Sequence, residues 1–202
     1  MYDVSYTTES VMIVSLIPTL ILSIWIALGL FWGAGLLSSK HTLRTQSAGS
    51  RFLHLMLMLP GYALLAYHRF GVGWLDNRFV PDTAAVALIG LAITLAGSLF
   101  AAWARITLGT NWSGRVSLKE GHELIMRGPY AIARHPIYTG LITAAAGTAL
   151  AFGEWRCIAG VLLIAAGFIL KIRQEERLMA ETFPDGYPAY CKRVKALIPG
   201  IY

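Results

Sequence analysis

The stretch RGPYAIARHPIYTG, residues 127–140, concentrates side chains able to do chemistry between two apolar segments. It holds His135, Tyr130 and Tyr138, with Arg127 and Arg134 beside them. An imidazole changes charge near neutral pH and serves as donor, acceptor or base. Pro136 suits the first turn of a helix, where a missing N–H costs nothing. The residue before a proline avoids helical backbone, which predicts that His135 stands just outside that helix. Free N–H groups at the helix start favour an anion. Tyr138, three residues on, is expected on the same side as His135. Two readings fit these residues equally: the wall of an interfacial pocket, or a basic–aromatic anchor at a membrane surface.

A second group lies in LKIRQEERLMAETFPDGYPAYCKRV, residues 170–194. Glu175 and Glu176 follow an apolar segment directly. A charge at the bilayer centre costs about 2.5–3.5 kcal/mol on translocon-based scales, which places both carboxylates at the interface. Lys171–Glu175 and Arg173–Glu176 are helix-neighbour spacings, worth about 0.2–0.5 kcal/mol each. A solvated helix face is the plain reading; a carboxylate site for a cationic or hydroxyl-rich ligand is the functional one. A third stretch, LGTNWSGRVSLKEGHELIMRGPY (108–130), carries Asn111, Trp112, Ser113 and His122 ahead of a short apolar run, Leu124-Ile125-Met126.

These groups need elements to hold them, and composition says which. The 202-residue chain is 56% hydrophobic and only 14% charged, with a mean hydropathy of +0.58. Soluble domains are about 25% charged. An all-α, polytopic integral membrane protein is predicted, with spans at 11–37, 52–67, 84–104, 137–152 and 155–170. FGEW, between the last two, is short enough only for a tight antiparallel hairpin. Gly140, Ala144, Gly147 and Thr148 are expected to pack closely against a neighbouring helix, as are Gly160 and Gly167.

Of the 17 basic residues, 14 fall on one side of this arrangement, and Arg69, Arg78 and Arg156 on the other. The positive-inside rule then predicts a cytoplasmic C-terminus and an N-terminus outside. The opening residues carry Asp3 and Glu9 without Lys or Arg, unlike a cleavable signal peptide, so the first apolar segment is expected to stay. The net charge of +6 is thus topogenic first. No basic helix or base-stacking motif accompanies it, and nucleic acid is not an expected partner. Cys157 and Cys191 form no CxxC or Cys/His cluster, so no metal site is expected. Cys157 is placed near the external face and Cys191 in the cytoplasm. No span carries a central charge of the kind a transport pathway often needs. The chain reads as a single membrane domain, 1–202. Its first 104 residues form three N-terminal helices, and 105–202 form the chemical core of loop, hairpin and tail.

Taken together, GHELIMRGPYAIARHPIYTG, one helical hairpin and then EER…F…GYPAYCKRV resemble the isoprenylcysteine carboxyl methyltransferase family, related to phospholipid N-methyltransferases. The resemblance covers roughly residues 108–194. It implies an integral-membrane methyltransferase using S-adenosyl-L-methionine in a cytoplasmic pocket, with a lipidated or lipid-like acceptor and membrane lipids around it. By the resemblance, His122, Glu123, Leu124 and Ile125 contact the cofactor. Tyr130 matches the GPY-like turn; His135, Pro136, Ile137 and Tyr138 match the HPxY segment; Glu175 matches the first functional glutamate. The family's substrate-contacting Arg, four residues before that glutamate, is replaced by Lys171, with Arg173 two residues further. Lys lacks the bidentate fork of Arg.

A carboxylate acceptor needs no base. An amine or thiol must lose a proton, for which His135 and Tyr130 are the candidate catalytic groups. No glycine-rich loop after a predicted strand occurs, which argues against a soluble Rossmann-type methyltransferase. Phospholipid N-methylation and small-thiol S-methylation are the alternative activities; a transporter or a non-catalytic scaffold are the alternatives without chemistry.

Overall fold

The computed structural model describes residues 8–36, 42–45, 48–67, 73–109, 117–119 and 124–201. Asn111, Trp112 and Ser113, and the expected cofactor contacts of His122 and Glu123, lie outside the described residues. Among the described residues there are six α-helices: α1 (Thr8–Leu36), α2 (Ala48–Ala66), α3 (Ala84–Leu108), α4 (Pro136–Phe152), α5 (Trp155–Thr182) and α6 (Gly186–Arg193). The all-α membrane reading is borne out. Val14–Ala34, Ala84–Leu108 and Trp155–Thr182 are long and apolar enough to cross a membrane; Phe52–Ala66 and Pro136–Phe152 are apolar but shorter. At 1.5 Å per residue, the 17 residues of α4 reach about 26 Å against a hydrocarbon core of about 30 Å.

Helix α5 departs from the expected end at residue 170. Its 28 residues run unbroken to Thr182, about 42 Å in all. The stretch KIRQEERLMAET has no Gly or Pro and is rich in strong helix formers. The helix therefore carries Glu175 and Glu176 out of the apolar layer on a rigid rod. It stops at Phe183, just before Pro184, and α6 follows after a short turn.

Small residues decide which helices touch. Helix α4 packs mainly on α3, and α5 on α2. A Cβ built on Gly140 would stand 2.6 Å from both the Gly97 carbonyl oxygen and the Ala101 nitrogen. On Gly97 it would stand 2.6 Å from the Gly140 carbonyl oxygen. Gly90 and Gly147 face each other's backbone in the same way. Across the other interface, a Gly160 Cβ would lie 2.7 Å from the Gly61 carbonyl oxygen, and one on Gly167 2.8 Å from the Met58 sulfur. Such approach of backbones is how helices associate where lipid removes the hydrophobic driving force. Buried hydroxyls tie the pairs together. Thr94 and Thr148 lie 3.2 Å apart, and the Trp25 indole N–H donates to the Thr148 hydroxyl at 3.1 Å.

The α4–α5 turn is as tight as FGEW predicts, with Gly153 left-handed at φ 71°. Arg78 and Arg156, expected only as flanking charges, are caps. Arg78 donates to the Phe152 carbonyl at the end of α4, at 2.9 Å. Arg156, fully buried, donates to the Leu64 carbonyl near the end of α2 and pairs with Glu154. Cations at helix C-termini complement the macrodipole.

At the opposite end, β1 (Thr42–Thr45) pairs antiparallel with β2 (Ser117–Lys119). The pairing puts the α1–α2 and α3–α4 connections on one end of the bundle, as the distribution of basic residues requires.

Candidate active site

The site lies where α4 begins and α5 leaves the apolar layer. A 3-10 turn over Gly128–Ala131 buries Pro129 and Tyr130. The chain then reaches His135, whose φ of −121° and ψ of 59° place it outside helix α4, with Pro136 as its first residue. The proline rule thus holds, and it aims the imidazole away from the helix axis.

Two carboxylates from α5 receive that imidazole. His135 Nδ1 lies 3.4 Å from Glu175 Oε2, and Nε2 lies 3.3 Å from Glu176 Oε1. Tyr138 donates its hydroxyl to Glu175 Oε1 at 2.7 Å. The Tyr138 ring stacks on Phe168 of α5, with centroids 4.6 Å apart, and lies parallel to the His135 ring at 5.8 Å. Lys171, buried, places Nζ 5.4 Å from the Tyr138 ring centre. Arg173 is exposed. Two residues along a helix turn the side chain through about 200°, so only one of the two basic residues can share the face of Glu175. Lys171 is that residue.

Arg134 corrects an expectation. Its place beside the helix start suggests a headgroup anchor, yet its side chain is only 11% exposed. Nε and Nη2 both donate to Glu176 Oε1, at 2.9 and 2.5 Å. Nη1 donates to the Val194 carbonyl at 2.5 Å. One guanidinium thus joins the α4 approach, the α5 rod and the tail. The tail is fastened further by backbone bonds from Arg134 N to the Lys195 carbonyl, 2.8 Å, and from His135 N to the Ala196 carbonyl, 2.9 Å. Thr139 donates to the Leu197 carbonyl at 2.8 Å, and Tyr190 of α6 donates its hydroxyl to the Tyr130 carbonyl. Leu124 lies against Gly186 at the start of α6, and Ile125 packs on the main core. The plain reading of residues 171–177 as a solvated face holds for Arg173 and Arg177, which are exposed, and not for Glu175 and Glu176.

Electrostatics favour the charged form of His135. Burial by itself lowers the imidazole pKa; hydrogen bonds and the charges of Glu175 and Glu176 outweigh it and leave the group above its ordinary 6.5. The imidazolium is favoured, held between two carboxylates. Tyr130 is pushed up, by burial first and then by the charge of Glu175, so its phenol stays protonated at neutral pH. Both shifts favour the protonated forms of these two groups.

A group whose folded pKa is raised adds stability that is complete below its unfolded pKa and disappears as pH rises through the folded value. Thermal stability of the detergent-solubilised protein is therefore expected to fall as pH climbs above about 6.5. His135→Gln should lack this component. Parallel melting curves of the two proteins across that window would show that the imidazolium is not held.

Glu176, Arg134 and the α6 tyrosines were not singled out as site residues from the sequence. The adjacent second glutamate and the arginine opening RHPxY were the available signal.

Residues 88–181 match the family model described as Isoprenylcysteine carboxyl methyltransferase (ICMT) family. The resemblance read from the motifs is borne out over this region. It contains α4, nearly all of α5, and every side chain of the His135–Glu175–Glu176 cluster. A probable protein-S-isoprenylcysteine O-methyltransferase of Oryza sativa subsp. indica is 28% identical over 119 residues, 57% of this chain and 62% of that protein. Protein-S-isoprenylcysteine O-methyltransferase B of Arabidopsis thaliana is 27% identical over 117 residues, 56% of this chain and 59% of that protein. The chain thus spans less than two thirds of these relatives.

The nickel-cobalt-cadmium resistance protein NccN of Alcaligenes xylosoxydans xylosoxydans is 29% identical over 154 residues, 69% of this chain and 68% of that protein. Among the described residues, no group of three His, Cys, Asp or Glu side chains is arranged to hold a metal ion. The fold is shared with a solved eukaryotic intramembrane Ras methyltransferase ICMT. That likeness has a TM-score of 0.54 and 24% identity, and covers 79% of this chain and 55% of that one.

Proposed function

We propose that this chain is an S-adenosyl-L-methionine-dependent integral-membrane methyltransferase of the isoprenylcysteine carboxyl methyltransferase type, acting on a lipidated or lipid-like acceptor. The observation that carries the reading is the convergence of His135 and Tyr138 with Glu175 and Glu176 inside the ICMT-like region. The two pairs stand about 40 residues apart in sequence and meet at 2.7–3.4 Å. Packing alone gives no reason to bring two carboxylates, an imidazole and a phenol together beside an apolar layer.

The donor set fits the cofactor. Carboxylates suit hydroxyls and ammonium groups, and the apolar Leu124 and Ile125 suit a purine face. Among the described residues the buried Tyr187 hydroxyl on α6 makes no hydrogen bond of full geometry, so a bound polar group could be satisfied there. Glu175 would be the principal holder, with Tyr138, His135 and the Pro136–Ile137 helix start around it, and His122, Glu123 and Tyr130 completing the set. When bound, S-adenosyl-L-methionine supplies a methyl group activated on a cationic sulfur. The protein's own work is alignment and exclusion of water. His135, clamped by both glutamates, fixes their carboxyl planes. Tyr138 holds Glu175 Oε1, and the tail covers the cluster from one side. Lys171 stands where an anionic group of the acceptor would be met.

The site is assigned to the cytoplasmic side, with the N-terminus outside, on the strength of the basic residues. Labelling of Cys191 by an impermeant thiol reagent in intact cells would contradict that assignment.

A methyl-transfer assay tests the function. Membranes containing the protein, given labelled cofactor, are expected to methylate a prenylcysteine. Label on phosphatidylethanolamine or a small thiol alone would move the acceptor class. His135→Ala and Tyr138→Phe should both impair transfer while still inserting and purifying. Full activity in His135→Ala with saturable cofactor binding would mean that the stretch is a membrane anchor.

A further inference from the structure

Helix α2 lies outside the ICMT-like region, yet it brings one polar ring to the site. Phe52–Ala66 is an apolar segment with Phe52, Leu53, Leu55, Met56 and Leu59 exposed toward lipid. His54 interrupts it. An ionisable residue in a membrane segment is expensive and points to function. The ring is half-buried against α5. Its Nδ1 lies 3.2 Å from the Gly167 carbonyl oxygen, and its centroid lies 6.3 Å from Phe168, the ring on which Tyr138 stacks.

Three consequences follow. A carbonyl oxygen only accepts, so Nδ1 carries the proton, and the neutral ring presents Nε2 as a lone pair. The face of α5 that meets α2 runs through Gly160, Ile164 and Gly167, and at helical spacing it continues to Lys171 and Glu175. Contacts of α2 on α5 continue past Met58, through Leu57 at Gly167 to His54 at Gly167 and Phe168, which places the His54 ring beside the aromatic residue that Tyr138 stacks on. Lys171 stands one helical turn along α5 from Gly167, whose carbonyl the ring meets.

We propose that His54 is an acceptor-binding residue. Its Nε2 accepts a hydrogen bond from an N–H of the lipid-borne acceptor, while the Lys171 ammonium meets the acceptor's anionic group. The ligand chemistry is an N–H donor a few atoms from an anion, on an apolar chain. Both an amide-linked prenylcysteine and phosphatidylethanolamine carry it. The proposal rests on the methyltransferase reading above.

Three variants of the full chain separate this role from a structural one. His54→Ala removes both ring nitrogens. His54→Asn keeps a donor for the Gly167 carbonyl without an acceptor at the Nε2 position. His54→Gln reaches the Nε2 position with an amide oxygen. Initial rates are measured against N-acetyl-S-farnesylcysteine and, in a second arm, phosphatidylethanolamine in mixed micelles. Cofactor Kd is measured by titration calorimetry on the same preparations.

Loss of one hydrogen bond should raise the acceptor KM about 3- to 10-fold in the Ala and Asn variants. The Gln variant should recover most of it, and cofactor Kd should stay within about twofold of wild type. The arm in which KM moves identifies the acceptor. Unchanged KM in all variants overturns the proposal, as does full rescue by Asn, which would assign His54 to holding α2 on α5. A rise in cofactor Kd that parallels KM also overturns it, since the effect would then pass through Phe168 and Tyr138. If wild type methylates neither acceptor, the lipid-borne acceptor reading fails and takes this proposal with it.

Discussion

Glu175→Gln is expected to fold and purify like wild type and to bind S-adenosyl-L-methionine about 10- to 150-fold more weakly, which corresponds to about 1.5–3 kcal/mol for a hydrogen bond to a charged group. The amide keeps the shape of the carboxylate and still accepts from the Tyr138 hydroxyl, now 2.7 Å from Oε1. It loses the charge that faces His135 and that would face a cationic ligand. Titration calorimetry separates the outcomes. Wild-type affinity in the variant would reduce Glu175 to a side chain that only orders Tyr138.

Arg134→Ala should have the largest effect on stability. The guanidinium holds Glu176 through two nitrogens and the Val194 carbonyl through a third. Removing one partner of a fully buried pair costs about 3–5 kcal/mol; with Glu176 28% exposed, water recovers part of this, and about 2–3 kcal/mol is expected. Arg134→Lys should recover only a minor share, because a single ammonium cannot serve Glu176 and the tail carbonyl with the fork geometry. The tail should also loosen. Limited proteolysis after α6 is expected to speed up in both variants, with the α1–α5 body intact. A tail as resistant as that of wild type would show that the backbone bonds at Lys195 and Ala196 hold it without the arginine.

That arginine marks where sequence reading stopped. Its neighbours are legible: Pro136 placed the helix start, the proline rule placed His135 outside it, and the face shared by His135 and Tyr138 followed from their spacing. The small-residue positions Gly140, Ala144 and Gly147 announced a close helix contact, though not that α3 was the partner. An arginine next to a membrane face reads the same whether it meets a headgroup or a carboxylate 42 residues away. The decision belongs to the α5 rod, whose continuation past residue 170 depends on charged helix formers that hydropathy alone scores as the end of a span.

The tail segment 194–197 has no periodicity to announce that its carbonyls would receive the Arg134 and His135 N–H groups. Of Lys171 and Arg173, helix geometry puts only Lys171 on the face of Glu175. The short β1–β2 pair lies below the length at which alternation gives a readable pattern.

The most direct test of the account is the binding of S-adenosyl-L-methionine to the purified, detergent-solubilised wild-type chain, by titration calorimetry without any acceptor. One saturable site per chain, competed by S-adenosylhomocysteine and lost together with Glu175, is the predicted result. A flat titration from a folded protein would contradict the assignment of the His135–Tyr138–Glu175 cluster as a cofactor site.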